Sequence, residues 1–256
     1  MLKEEQRFVA SDILEGMTSI SALLNSGDAN DRKIEKVLID RAKRKSKAPQ
    51  IGFLTAKSHE LGFPVEFVDE DEIDRLSVGN THGGILAICT ARTIPALSAE
   101  NIRPDSFYVY LEGIEDPYNF GYAIRSLYAA GVSGVILPPR NWMNAAGVVA
   151  RASAGASECL PIFEAEGEDA VKLFHEAGYT ILCAGIRDSV SIFDEAFRYP
   201  VLLVVGGEKR GISRALLDAA DHIVRIDYGR EFNGSLSAAS AATVLAFEIF
   251  RKNRKV

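Results

Sequence analysis

LEGIEDPYNFGYAIRSLYAAGVSGVIL, residues 111–137, decides the fold class. It leaves the end of an apolar strand, crosses a polar turn into an amphipathic helix, passes a glycine and enters a second apolar strand. That is one strand–helix–strand unit, the building block of a parallel sheet. Two more glycine-studded blocks follow: LLVVGGEKRGISRALLDAADHIVRI at 202–226 and NGSLSAASAATVLAFEIF at 233–250. Each places polar residues on a turn beside an apolar strand or helix, where α/β proteins build their sites.

Working outward, the same rhythm fills the chain from residue 107 onward. Apolar runs predict strands at 108–111, 135–137, 159–163, 180–183, 201–205 and 223–226. Helical spacing predicts helices at 122–130, 145–152, 168–177, 214–220 and 238–252. Continuous Val/Ile/Leu strands separated by helices imply a parallel sheet covered on both faces. Residues 1–92 read as a smaller α/β module, with helices at 6–24 and 49–61, strands at 36–39, 65–68 and within GGILAICTA, and a short acidic helix. Residues 93–106, with two prolines and little periodicity, read as a linker, which leaves 107–256 as the second domain.

Composition narrows the class. A chain of 256 residues with 47% hydrophobic and 25% charged content is a folded globular protein. Its apolar runs are too short to span a membrane, and MLKEEQRF is charged from the third residue, unlike a secretory signal. A cytoplasmic protein is expected. Cys89, Cys159 and Cys183 form no C-x-x-C pair, and the four histidines have no ligand spacing, so buried thiols and no metal are expected. A net charge of −6 does not advertise nucleic-acid binding. RAKRKSK at 41–47 dissents: Arg41, Lys43, Arg44, Lys45 and Lys47 are either a solvated surface or a phosphate-contacting patch.

In the first block Asn119 sits where a helix N-cap would, and Arg125 follows within two turns. The pair is either a cap with a surface cation or an amide and a guanidinium converging above the carboxyl end of the sheet. In the second block Gly206 and Gly207 follow a buried strand, with Glu208 next and Gly211 beyond. Glycines there let a ligand press against the backbone. Ile212 stands where a P-loop needs Lys, and no strand is followed by G-x-G-x-x-G, so neither triphosphate nor dinucleotide chemistry fits. A cofactor without phosphates, such as S-adenosylmethionine, suits this pocket. The third block offers Ser235, Leu236 and Ser237 at a helix start.

The three blocks resemble the SpoU (TrmH-like) family of SPOUT RNA 2′-O-ribose methyltransferases. DPYNFGYAIRS at 116–126 is similar to the family's first motif, VVARASAGASECLP at 148–161 to its connecting segment, and VVGGEKRGIS at 204–213 with IVRI to its second. NTHGGILAI at 80–88 resembles the end of the ribosomal-protein-like RNA-binding domain that precedes the catalytic domain in many members. The resemblance implies a deep trefoil knot in the parallel-sheet domain, a homodimer, S-adenosylmethionine as cofactor and RNA, ribosomal more than transfer, as substrate. It puts Asn119, Arg125 and Glu208 on catalytic positions. The family's arginine is discussed as a general base, but deprotonating a guanidinium is costly, so a clamp on an RNA phosphate is the role expected of Arg125. It puts Gly206, Gly207, Ile226, Leu236 and Ser237 on the cofactor, and Ser153 on the connecting segment's serine. One departure stands out: the third motif usually reads Ser-Leu-Asn-Val-Ser, and this chain has Ser237 in place of the Asn and Ala239 in place of the last Ser. A non-catalytic RNA-binding relative and an α/β enzyme acting on a small metabolite are the competing readings.

Overall fold

The computed structural model describes residues 12–79, 81–139 and 145–254. The described chain falls into two compact units, one holding residues up to 93 together with 145–159, the other holding 94–139 and 160–254.

The first unit opens with β1 (Ile13–Glu15), α1 (Gly16–Leu24), β2 (Ile34–Asp40), α2 (Ala48–Leu61), β3 (Val65–Val68), α3 (Glu70–Leu76) and β4 (Ile85–Cys89). Its sheet has the order β1-β4-β2-β3, with β2 and β3 parallel and the other pairs antiparallel. The helix expected over 6–24 is in fact a strand and then a helix, and its first residues, 6–11, lie outside the described part. Ile13 and Leu14 pair with Ile88 and Ala87, so tertiary pairing overrides their helical spacing. Gly16, at φ 77°, makes the corner between β1 and α1.

The second unit begins with β5 (Phe107–Glu112), α4 (Pro117–Ala129) and β6 (Gly134–Leu137). The next two helices, α5 (Ala146–Ala152) and α6 (Ala156–Cys159), belong to the first unit. There Ala150 joins the core around Leu14, Ile20 and Leu54, and the Asn30 amide donates to the Glu158 carbonyl at 2.6 Å. The chain then completes the second unit with β7 (Ile162–Glu164), α7 (Gly167–Glu176), β8 (Thr180–Ala184), β9 (Val190–Ser191), β10 (Val201–Gly206), α8 (Arg214–Asp218), β11 (His222–Arg225) and α9 (Ala238–Asn253). Its seven strands take the order β7-β6-β5-β10-β8-β11-β9, every neighbouring pair parallel.

Three sequence expectations shift. Cys159 closes α6 instead of opening β7, because Ala154 and Gly155 at positive φ turn the chain and the Ser153 hydroxyl takes the Ser157 N–H. Residues 94–106 are no free linker: Leu97 is buried in the second unit's core and its N–H donates to Glu164. The helix expected at 122–130 starts five residues earlier, at Pro117. That core centres on Tyr108, Phe174 and Tyr179, with ring centroids 4.9–5.9 Å apart.

Candidate active site

β5 and β10 lie side by side in register, Val201 opposite Phe107 and Gly206 opposite Glu112, so their carboxyl ends finish together. The turns that follow are therefore neighbours. The Gly207 N–H donates to the Glu112 carbonyl at 2.5 Å and the Gly211 N–H to the Gly207 carbonyl at 3.0 Å. A Cβ on Gly207 would sit 2.0 Å from the Gly113 oxygen, and one on Gly206 would sit 2.3 Å from the Gly211 carbonyl carbon. Only glycine permits that approach of backbones. The Glu112 carboxylate accepts from the Ser213 N–H at 2.9 Å, and this fixes the far end of the loop.

Beside this loop lies a cleft of about 560 Å3, at the carboxyl ends of β8, β10 and β11. Gly206, Gly207, Glu208, Ile226 and Leu236 line it, joined by Gly185. The Leu236 N–H donates to the Tyr228 hydroxyl at 3.2 Å, which anchors the loop before α9. The position is the one open parallel sheets use for ligands.

The sequence-derived residues divide. The Asn119 amide donates to Glu208 Oε1 at 3.2 Å, so an element after β5 and one after β10 meet at the cleft. Asn119 is not the N-cap expected for it. Asp116 caps α4 by accepting the Asn119 N–H at 2.8 Å, and Pro117 occupies the first turn, which frees the Asn119 side chain for Glu208. Arg125 is exposed on α4, and its guanidinium has no hydrogen-bond or ion-pair partner among the described residues. Ser237 is not among the cleft's lining residues. It caps α9, accepting the Ser240 N–H at 3.2 Å. Ser153 holds the turn between α5 and α6.

Sequence reasoning missed Arg187, Tyr228 and Phe232, which also line the cleft. The Tyr228 and Phe232 rings pack at a tilt of 55° with centroids 5.8 Å apart, and Phe232 is 58% exposed. Two aromatic residues within the polar loop DYGREFNG were the available signal. At the same rim Arg225 donates to Asp227 at 2.7 Å, and hydrogen bonds to Asp227 from Ser191 and from this arginine hold its carboxyl below the usual range.

In the first unit the cations of 41–47 scatter. Arg41 pairs with Asp69 at 2.9 Å, Arg44 stacks 5.0 Å over the Phe67 ring, and Lys45 is exposed. Lys43 and Lys47 line separate clefts.

Against known proteins, the SpoU rRNA Methylase family matches residues 106–247 and the RNA 2′-O ribose methyltransferase substrate binding family matches residues 13–95. The chain belongs to the SpoU rRNA methylase family. A TrmH family protein of Staphylococcus haemolyticus, named for both tRNA and rRNA methylation, is 28% identical over 250 residues, covering 95% of this chain and 97% of its own. The 23S rRNA (guanosine-2′-O-)-methyltransferase RlmB of Shewanella oneidensis is 26% identical over 250 residues, covering 95% and 98%. The crystal structure of an AdoMet-bound rRNA methyltransferase from Sinorhizobium meliloti superposes with a TM-score of 0.79 at 25% identity, covering 96% of this chain and 93% of that one. No described helix of this SpoU member is long and apolar enough to cross a membrane.

Proposed function

We infer that this SpoU member transfers a methyl group from S-adenosylmethionine to a ribose 2′-hydroxyl of RNA, with ribosomal RNA as the substrate class and the cytoplasm as the place. The observation that carries the reading is the cleft beside the Gly206–Gly207 turn, with the Asn119–Glu208 pair at its edge. Its volume of about 560 Å3 falls in the range of small-molecule sites, and its wall mixes apolar side chains with open backbone. Those features suit an adenosyl cofactor, held by Gly206, Ile226 and Leu236. When bound, this cofactor supplies a methyl group activated by a positive sulfonium.

The chain's own residues would then place the hydroxyl. Glu208 fixes the Asn119 amide by accepting from Nδ2, which turns Oδ1 into an available acceptor for the ribose O–H. Arg125, with a guanidinium free to make two parallel bonds, clamps an adjacent phosphate and eases negative charge developing on the attacking oxygen. The first unit, with Lys47 and the neighbouring cations, holds the surrounding RNA. One similar relative is named as a 23S rRNA (guanosine-2′-O-)-methyltransferase, RlmB, and this favours ribosomal RNA over tRNA. Exposed Tyr122, Tyr128, Phe247 and Phe250 on the adjoining helices α4 and α9 support a homodimer. The placement of β10 between β5 and β8 suits the knotted threading that the family resemblance implies.

Calorimetric titration with S-adenosylmethionine and with its demethylated product tests the reading. Micromolar binding at one site per chain is expected, followed by methyl transfer to a 2′-oxygen of ribosomal RNA. A protein that binds RNA but neither cofactor form would be the non-catalytic relative. One that binds no RNA at any salt concentration would be an enzyme of small metabolites.

A further inference from the structure

A second cleft, of about 360 Å3, is built wholly from the first unit, over the opening turn of α1. Glu15 precedes that helix, yet its side chain does not cap it. Both carboxylate oxygens are engaged elsewhere: one accepts from the Val78 N–H at 2.6 Å, the other from Arg151 at 2.8 Å. The first-turn N–H groups of this nine-residue helix therefore face the cleft uncapped, with the positive end of its dipole.

Three side chains in the lining lack partners. Ser19 is only 2% exposed and its hydroxyl has no hydrogen-bond partner among the described residues. Gln50 Oε1 is buried without one. Lys47 forms no ion pair among the described residues, and its Nζ lies over the 81–83 turn, 3.6 Å from where a Cβ on Gly83 would stand. His82 adds no free donor, since Nδ1 accepts from the Gly84 N–H and Nε2 faces Asp74 at 3.5 Å. Lys47 and Arg151 outnumber the one carboxylate, Glu15, so the lining is cationic on a chain of net charge −6.

The buried Gln50 oxygen is costly without a partner, and one ligand would satisfy it together with the Ser19 hydroxyl and the Lys47 ammonium. Uncapped N–H groups, a hydroxyl and an ammonium suit a phosphate. An amide oxygen needs a donor, which a phosphate diester lacks and a ribose hydroxyl has. We propose that this cleft binds one ribonucleotide, its phosphate on the α1 turn, Ser19 and Lys47, and its sugar hydroxyl on Gln50. The proposal deepens the RNA-methylating reading and rests on it for the identity of the polymer.

Full-length protein is titrated with uridine 5′-monophosphate, its 2′-deoxy form and uridine, and with an RNA stem-loop carrying a 5′-phosphate or a 5′-hydroxyl. Millimolar binding of the monophosphate is expected, weaker for the deoxy form and weakest for uridine. Lys47→Gln should weaken monophosphate binding about fivefold or more and lower the salt slope of RNA binding by about one, while Lys45→Gln, which lies outside the cleft, leaves monophosphate binding unchanged. Ser19→Ala should weaken nucleotide binding without loss of thermal stability, which a merely structural serine would not do. Equal stem-loop affinities would assign an internal phosphodiester, and preference for the phosphorylated form a terminal monoester. Monophosphate binding no tighter than uridine, or equal effects of Lys47→Gln and Lys45→Gln on monophosphate binding, would overturn the cleft. Nucleotide binding without any stem-loop binding would keep the cleft and remove the RNA reading.

Discussion

At the scale of single residues, glycines and buried ionisable groups are the sensitive points. Gly207→Ala would thrust a methyl group 2.0 Å from the Gly113 oxygen, so the turns after β5 and β10 must separate. A loss of about 1–3 kcal/mol in denaturant unfolding is expected, together with loss of cofactor binding. Burial pushes the Cys89 and Cys183 thiols up to about 12, from an ordinary value of 9.0. The folded state thus holds these protons more tightly than the unfolded chain. Their contribution to stability is complete below about pH 9 and fades as pH rises toward 12. Alkylation of the native protein at pH 8 should modify Cys159, half-buried, before either of the others. The apolar surroundings of these cysteines were visible in the chain. The Asn119–Glu208 bond joins residues 89 apart, and no local pattern specifies which side chains a fold brings together.

At the scale of elements, the ends of helices carry the informative chemistry. Ser237 caps α9, and Asn is as good a cap as Ser, so Ser237→Asn should leave thermal stability nearly unchanged, while Ser237→Ala should cost about 1 kcal/mol. If Ser237→Asn also leaves cofactor affinity unchanged, the departure from the usual motif is a helix-cap choice. A large gain in affinity would show that the amide reaches the ligand. In the first unit Glu158 on α6 lies 3.8 Å from Arg32, both side chains almost wholly buried. Glu158→Ala would strand that guanidinium without its counter-charge, and about 3–5 kcal/mol of stability should vanish in chemical denaturation. The strand and helix segments of the second unit were legible because apolar runs and helical spacing coincide with burial there. α4 was misplaced by five residues because the Asp116 cap and Pro117 were read as part of the turn. β1 was hidden in a helical pattern until β4 supplied its partner.

At the scale of the whole molecule, light scattering should give twice the 27.8 kDa chain mass, and Phe250→Glu on the exposed face of α9 should shift it toward the single chain while cofactor binding reports any misfolding. The sequence by itself determined the parallel α/β character, the order of the three glycine-bearing blocks and the glycine turn after β10. It could do so because strand periodicity, turn glycines and caps act over a few residues. Only the tertiary structure decided that β10 sits between β5 and β8, that α5 and α6 pack with the first unit, and that Ser237 caps a helix instead of lining the cleft. The same holds for the cleft over α1, whose walls come from residues 15–19, 47–50, 81–85 and 151–154. Those outcomes depend on which distant backbones find hydrogen-bond partners and which apolar faces meet, and a linear pattern carries neither.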